Sequence, residues 1–470
     1  MLSGIILKGV LVMQEREKFK NRMGFVIVSV ACAVGLGNIW LLPYRAGAMG
    51  GGFYVLTYLF FAFFLAIPVL MTEYAVGRGA QTSASAHYQV LEPKGTKWHY
   101  ASYMSMAGHY LLLMFYMVIV GFSLAYLWKG LTGSLIGASP EEIGAAFGSL
   151  TGDPVQSTGY MLAVVVAAFL VCTLGLQKGI EKIGKYMMLI FFTLLIILIG
   201  RSLTLPGALE GIRFIFIPDF EALAASQYSV FTIIHMAMSQ ALFSLSVGMG
   251  SMAVFGSFIG RDRALFGEAA TVGIIDISVS LLCLLMVFPA AFAFGIAPGA
   301  GPGLIFVTMP NIFNAMPLSY IWSLTFYIGL FFVAFSTGAA VCESIITMSM
   351  DKFGWVRKKS AIINLMAVCL LCMPAVLGWS VWSHIRPLGV GNFGAFFTFL
   401  VMENILPLGA LVYLLFCMTK KGWGYENFMA EVNAGDGIKF PQSLRFYMTY
   451  VIPIAIIFIF VFGHINRWIL

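Results

Sequence analysis

Two short stretches of this chain combine residue types that seldom share an apolar segment. Gly35-Leu36-Gly37-Asn38 lies inside GFVIVSVACAVGLGNIWLLPY, and Ser244, Ser246, Gly248 and Gly250 lie inside IIHMAMSQALFSLSVGMGSMAVF. A glycine weakens a helix by about 1 kcal/mol relative to alanine, so two within three residues let the backbone unwind. In hydrocarbon, unwound backbone persists only where it lines a cavity in the protein. Its freed carbonyls can then coordinate a cation, and half-helix N–H groups can hold an anionic group. Asp276 adds a carboxylate within a third apolar run. A charge at that depth is costly and marks a functional position by default. Taken singly, either glycine-serine stretch reads equally as a close helix contact. Their occurrence in the first helix of each of two five-span blocks favours unwinding.

The elements that must position these residues are membrane helices. Of 470 residues, 60% are hydrophobic and 10% charged, far from the roughly 25% charged content of soluble domains. A helix needs about 20 apolar residues to cross a bilayer. Eleven spans are predicted, at about 24–45, 53–77, 102–128, 159–176, 186–204, 230–258, 268–296, 319–349, 360–380, 393–418 and 445–466. They leave no room for a separate soluble domain, which excludes most enzyme folds. The segment 299–317, with Gly299, Pro302, Gly303, Pro310 and Pro317, is too interrupted to span and reads as a long folded loop. With the N-terminus cytoplasmic, 21 Lys and Arg fall inside and five outside. That is the positive-inside asymmetry, and it accounts for the net charge of +7 without any nucleic-acid partner. The expected location is the cell (inner) membrane, multi-pass, with the C-terminus outside. The stretch Met1–Val12 lacks the features of a cleavable signal. The seven cysteines lie in apolar runs and read as small packing residues. The histidines fall into no metal-ligand spacing, and no HExxH, GxSxG or P-loop pattern occurs.

Several motifs together resemble the neurotransmitter:sodium symporters, bacterial amino-acid branch. They are Ala33-Val34-Gly35-Leu36-Gly37-Asn38-Ile39-Trp40, Gly50-Gly51-Gly52-Phe53, Glu73 with Gly77-Arg78, Gln240-Ala241-Leu242-Phe243-Ser244-Leu245-Ser246 and Gly301-Pro302-Gly303-Leu304-Ile305-Phe306. The resemblance runs from about Arg16 to Arg467. It implies an all-α polytopic fold of about eleven helices, a five-plus-five inverted repeat with discontinuous helices one and six, and sodium-driven alternating access. The chain then divides into an N-terminal cytoplasmic latch (1–23), a first repeat (24–204), an extracellular connection (205–229), a second repeat (230–418), and a cytoplasmic loop with helix eleven (419–470).

The same resemblance implies site residues. A first sodium site would use the Ala33 carbonyl, Asn38, Ser244 and Asp276. A second would use the carbonyls of Ala31, Val34 and Val333 with the hydroxyls of Ser336 and Thr337. All these ligands are oxygens, as a hard cation requires; read without the resemblance, the two hydroxyls are equally helix back-bonding groups. The Leu36 and Gly37 amides with the Tyr116 hydroxyl would hold a substrate carboxylate. Carbonyls of Ala33, Phe243 and Ser244 with the Ser246 hydroxyl would hold an ammonium. Monoamine transporters of the family carry Asp at the place of Gly35, so a glycine implies a substrate that brings its own carboxylate. An uncharged pocket of Leu112, Phe243, Met249, Gly338 and Val341 implies a neutral apolar amino acid, with Gly338 leaving room for a bulky or aromatic side chain.

The chain also departs from the family pattern. The usual outer-gate arginine is Leu41 and its acidic partner falls near Phe399, which suggests closure by apolar packing. Arg45, one turn above Leu41, reads either as a substitute contact or as a headgroup-seeking side chain. At the inner gate, Arg16, with Phe19 in place of the usual Trp, and Asp351 match the latch and its acceptor. Tyr58, Gln240, Ser244 and Ser280 resemble a chloride shell, yet Asp276 stands where animal members carry Asn and supplies a fixed negative charge. Chloride is therefore not expected to be required, and proton release or antiport at Asp276 is a further expectation. Cys32 stands where the bacterial leucine transporter has Asn and reads either as tuning the pocket or as packing. One or two sodium ions, a small amino acid and the lipid bilayer are the expected partners. A sodium-permeable channel and a transport-inactive amino-acid sensor are the competing functions.

Overall fold

A computed structural model describes residues 19, 21–224, 228–296 and 303–468. Among them, nine helices are long and apolar enough to cross a membrane, and a tenth arises if Arg22–Ala33 and Gly37–Ala48 count as one span bent by 48°. Span one is that pair. Spans two to five are Gly52–Ala80, Trp98–Thr132, Pro154–Thr173 and Leu176–Leu203; spans seven to eleven are Leu265–Ala293, Ser319–Phe353, Arg357–Leu377, Phe393–Met418 and Gln442–Asn466. Span six is divided into Val230–Ser244 and Ser251–Gly256, each too short to cross alone. No strand occurs among the described residues, only two isolated bridges, Gly51 with Pro218 and Arg263 with Asp436.

Local chemistry explains where the helices stop. Span one ends its first half at Ala33, because Val34 takes an extended conformation (ψ 111°). The chain resumes through a π-helical turn at Gly37–Leu41, with Pro43 in the first turn of the helix that follows. In span six the conformations of Ser246 (φ 52°), Gly248 (φ 104°) and Gly250 (φ 90°) are incompatible with a right-handed helix. Gly248 is required twice over. Its φ is left-handed, and a β-carbon there would lie 2.2 Å from the Leu406 carbonyl oxygen. Both breaks expected from the glycine spacing are present.

Packing places the breaks at the centre. Span eight runs against spans three and five, and Ser251–Gly256 lies on span two. A β-carbon on Gly77 would come within 1.9 Å of the Ala253 carbonyl oxygen, so the second half-helix rests directly on the backbone of span two. Large apolar side chains such as Phe60, Leu170, Leu189, Ile196, Leu370 and Ile454 are exposed, which is the surface a lipid solvent covers. Glu73, Arg78, Asp276 and Glu343 are fully buried. Ion pairs join the helix ends: Arg78 and Arg261 both bind Glu431 (2.7 and 2.8 Å), and Arg357 binds Glu343 (2.8 Å).

Three connections contain helices, one of them where a loop was expected. The described part of 299–317 is helical over Leu304–Asn314 and not a long loop; a π-helical turn over Leu304–Thr308 leads into Met309–Asn314, with Pro310 in the first turn of that second piece. The 205–229 connection holds a helix at Ala208–Phe216 packed on span seven. Between spans three and four, Ser139 and Glu142 form a capping box for a helix at Pro140–Gly152.

Candidate functional site

The break in span one faces span seven across Asn38. Its amide nitrogen lies 2.8 Å from Asp276 Oδ1, 2.8 Å from Ser280 Oγ, 3.0 Å from Ser244 Oγ and 3.5 Å from the Asp276 carbonyl oxygen. Ser244 Oγ donates to Asp276 Oδ2 at 2.6 Å, and the Tyr58 hydroxyl reaches Ser244 and Ser280 at 3.2 and 2.8 Å. An amide nitrogen carries two hydrogens, so four oxygens around it exceed what it can serve. All five residues are buried. The result is a buried, oxygen-rich cluster with one formal negative charge, the donor set a hard monovalent cation accepts.

A second cluster lies where span eight meets the same break. Thr337 Oγ1 is 2.8 Å from the Val34 carbonyl oxygen, 2.9 Å from that of Ala31 and 3.2 Å from that of Val333. A hydroxyl has a single hydrogen, so two of the three carbonyls lack a donor from this group. Ser336 Oγ adds a contact to the Val333 carbonyl at 2.9 Å. The five residues anticipated from the resemblance are thus together. Within its own helix, each hydroxyl also bonds back to Val333, the alternative reading; for Thr337 the contacts to span one come in addition.

Between the clusters lies the unwound strand of span one. The Gly35 N–H donates to Asn38 Oδ1 at 3.0 Å, and the Leu36 N–H points to the Tyr116 hydroxyl at 3.5 Å. A β-carbon on Gly35 would lie 2.8 Å from Thr337 Oγ1 and 2.9 Å from the Tyr116 hydroxyl. Gly37 packs its bare face on the Phe243 ring, and its carbonyl accepts from Gln240 Nε2 at 2.9 Å. The Ser246 hydroxyl is committed to the Cys32 carbonyl at 3.0 Å, and the Phe243 carbonyl accepts the Ser246 N–H. Leu112, Met249 and Val341 are buried, Phe243 half-buried. At Gly338 the space is used by another side chain, since a β-carbon there would meet the Met117 thioether at 3.2 Å.

Arg16 lies outside the described residues. Asp351 accepts the Ser83 N–H at 2.6 Å. Leu41 and Phe399, anticipated at the outer gate, are both buried. Arg45 does not reach for headgroups; it is buried and donates to the Met236 carbonyl (3.1 Å) and Gln240 Oε1 (3.4 Å) of span six. Two neutral oxygens of span six thus take the place that lipid headgroups would have had for one of its nitrogens.

Sequence reasoning quoted Glu73 only as part of a motif. Its carboxylate accepts the N–H groups of Gly248 (2.5 Å), Gly250 (3.3 Å) and Ala253 (3.3 Å), so it holds the far end of the unwound strand. An acidic residue in an apolar run was the available signal. Glu73→Ala leaves three buried amides without that acceptor and is expected to cost about 3 kcal/mol, read as a lowered melting temperature in detergent. Glu73→Gln retains one acceptor oxygen and should recover part of the loss.

A family model described as "Sodium:neurotransmitter symporter family" matches residues 16–142 and 151–468. The chain belongs to that family. It is a sodium-coupled transporter and a multi-pass membrane protein, in a family of transporters and not of enzymes. A sodium-dependent transporter of Bacillus subtilis, YhdH, is 33% identical over 95% of this chain and 97% of its own. Another from Haemophilus influenzae is 27% identical over 95% and 98%. The crystal structure of MhsT in complex with L-phenylalanine superposes with a TM-score of 0.88 at 34% identity, covering 95% of this chain and all of that one. The two broken spans therefore sit within the symporter fold that the motifs implied.

Proposed function

We propose that this transporter imports a neutral apolar amino acid together with sodium, by alternating access and without a requirement for chloride. The observation that carries the reading is the convergence of two oxygen-rich clusters, around Asn38–Asp276 and around Thr337, on one unwound strand with Tyr116 beside it. A half-turn of the Asn38 amide would present its oxygen to a cation, with Asp276, Ser244 and the Ala33 carbonyl completing a first sodium site. Ala31, Val34, Val333, Ser336 and Thr337 would form a second. The amides of Leu36 and Gly37 with Tyr116 would receive the carboxylate. Side chains of Leu112, Phe243, Met249 and Val341, none charged, would enclose an apolar substituent; the L-phenylalanine bound to MhsT supports that class. Asp276 supplies the negative charge that chloride would otherwise bring. Leu41 and Phe399 would close the outer side by packing. The Lys and Arg asymmetry supports a cytoplasmic N-terminus.

A thermal-shift screen of the twenty amino acids tests this directly. Large apolar amino acids should raise the melting temperature in sodium and not in an equimolar choline salt. Replacing chloride by gluconate should leave the shift and liposome uptake unchanged. No sodium-dependent response to any amino acid would overturn the substrate class, and lost uptake in gluconate would overturn chloride independence. Large substrate-insensitive currents would mark a channel instead.

A further inference from the structure

His109 is fully buried in span three and takes no part in the clusters above. Its Nδ1 lies 2.7 Å from the Ser105 carbonyl oxygen, which can only accept, so in the neutral ring Nδ1 carries the hydrogen. Nε2 is then an acceptor, and it receives the hydroxyl of Ser251 at 2.9 Å. Ser251 is the first residue of the second half-helix of span six, directly after Met249 and Gly250. His109, Leu112 and Tyr116 are spaced i, i+3, i+7, so they share one face of span three. Beside them, a β-carbon on Gly108 would stand 3.4 Å from Met249 Cβ. The histidine therefore ties the helix bearing Leu112 and Tyr116 to the strand bearing Met249.

We propose that the His109–Ser251 hydrogen bond is a strut that fixes the separation of these two walls and thereby sets which side-chain size the site accepts. His109 is a positioning residue, acting through Met249. The inference rests on the amino-acid reading above. A strut this close to the pocket matters because one methylene changes discrimination by about 10–200-fold in a well-formed site.

The test ranks alanine, valine, leucine, phenylalanine and tryptophan by half-effect concentration in the thermal-shift assay, at saturating sodium. Ser251→Ala removes the donor with minimal change in volume, and His109→Leu removes the acceptor. Each should flatten the ranking, lowering the ratio between the best and the poorest ligand by about tenfold. The double variant should be no flatter than either, since both remove one contact. His109→Gln, which keeps an acceptor near the Nε2 position, should restore the ranking. A lowered melting temperature with an unchanged ranking would overturn the strut and leave the histidine a packing residue. An unsubstituted protein that responds to none of the five would overturn the amino-acid reading, and the strut with it.

Discussion

Replacing Asp276 by alanine should abolish the sodium-dependent part of ligand stabilisation and reduce uptake at least about 100-fold. Asp276 carries the only formal charge in a buried cluster where Tyr58, Ser244, Ser280 and Asn38 are neutral. A cation entering it loses its hydration, and here a fixed opposite charge adds to what the neutral oxygens offset. Removing one partner of a buried charge pair costs about 3–5 kcal/mol, and about 1.4 kcal/mol is a factor of ten in affinity. Because sodium and substrate are thermodynamically linked, the amino acid's own half-effect concentration should rise as sodium affinity falls. Asp276→Asn keeps shape and one acceptor oxygen and should show the same direction with smaller amplitude. Without sodium, neither variant should melt much earlier than the parent, since the remaining polar groups can bond one another. A sodium titration identical to that of the unsubstituted protein would overturn the assignment. Asn38→Ala and Ser336→Ala should each weaken the sodium response by less, having no charge to lose.

Gly35→Ala should silence transport while leaving the chain folded. The added methyl would stand 2.8 Å from Thr337 Oγ1 and 2.9 Å from the Tyr116 hydroxyl, closer than real β-carbons approach. Either those side chains withdraw or the unwound strand shifts. Each outcome displaces groups proposed to hold sodium or the substrate carboxylate, and displacement of about 1 Å in a preorganised site costs about 100-fold. Alanine also loses less backbone entropy than glycine on ordering, so expression and melting should survive. Uptake within twofold of the parent would mean that Thr337 and Tyr116 do not work at the positions proposed for them. Isosteric Thr337→Val separates the two effects: it should impair the sodium response while leaving the Tyr116 side intact.

The sequence was legible where physics acts locally. Apolar runs of helical length and paired glycines near mid-span report solvent and backbone preference, which neighbours alter little. They placed the nine or ten apolar spans of the described residues and both breaks, and the motifs added Asn38, Ser244, Asp276 and Thr337, which the fold brings together. Local reading failed where order depends on what lies opposite. The glycines and prolines of 299–317 argued for a loop, yet Leu304–Asn314 is helical, with Leu304, Phe306 and Ile312 buried against neighbours. Arg45 reads two ways in sequence, and only its place beside the Met236 carbonyl decides between them. Gly338 promised space that Met117 fills.

By itself, then, the order of residues determined the solvent, the number of crossings, the points of unwinding and the supply of oxygen ligands, because hydrophobicity and glycine flexibility belong to single residues and short windows. Only the folded arrangement decided which oxygens outnumber their hydrogens, which amides Glu73 holds, and that His109 meets Ser251. The pairings between different spans join residues from 32 to 306 positions apart along the chain. Their geometry depends on how whole helices pack, which no local window encodes.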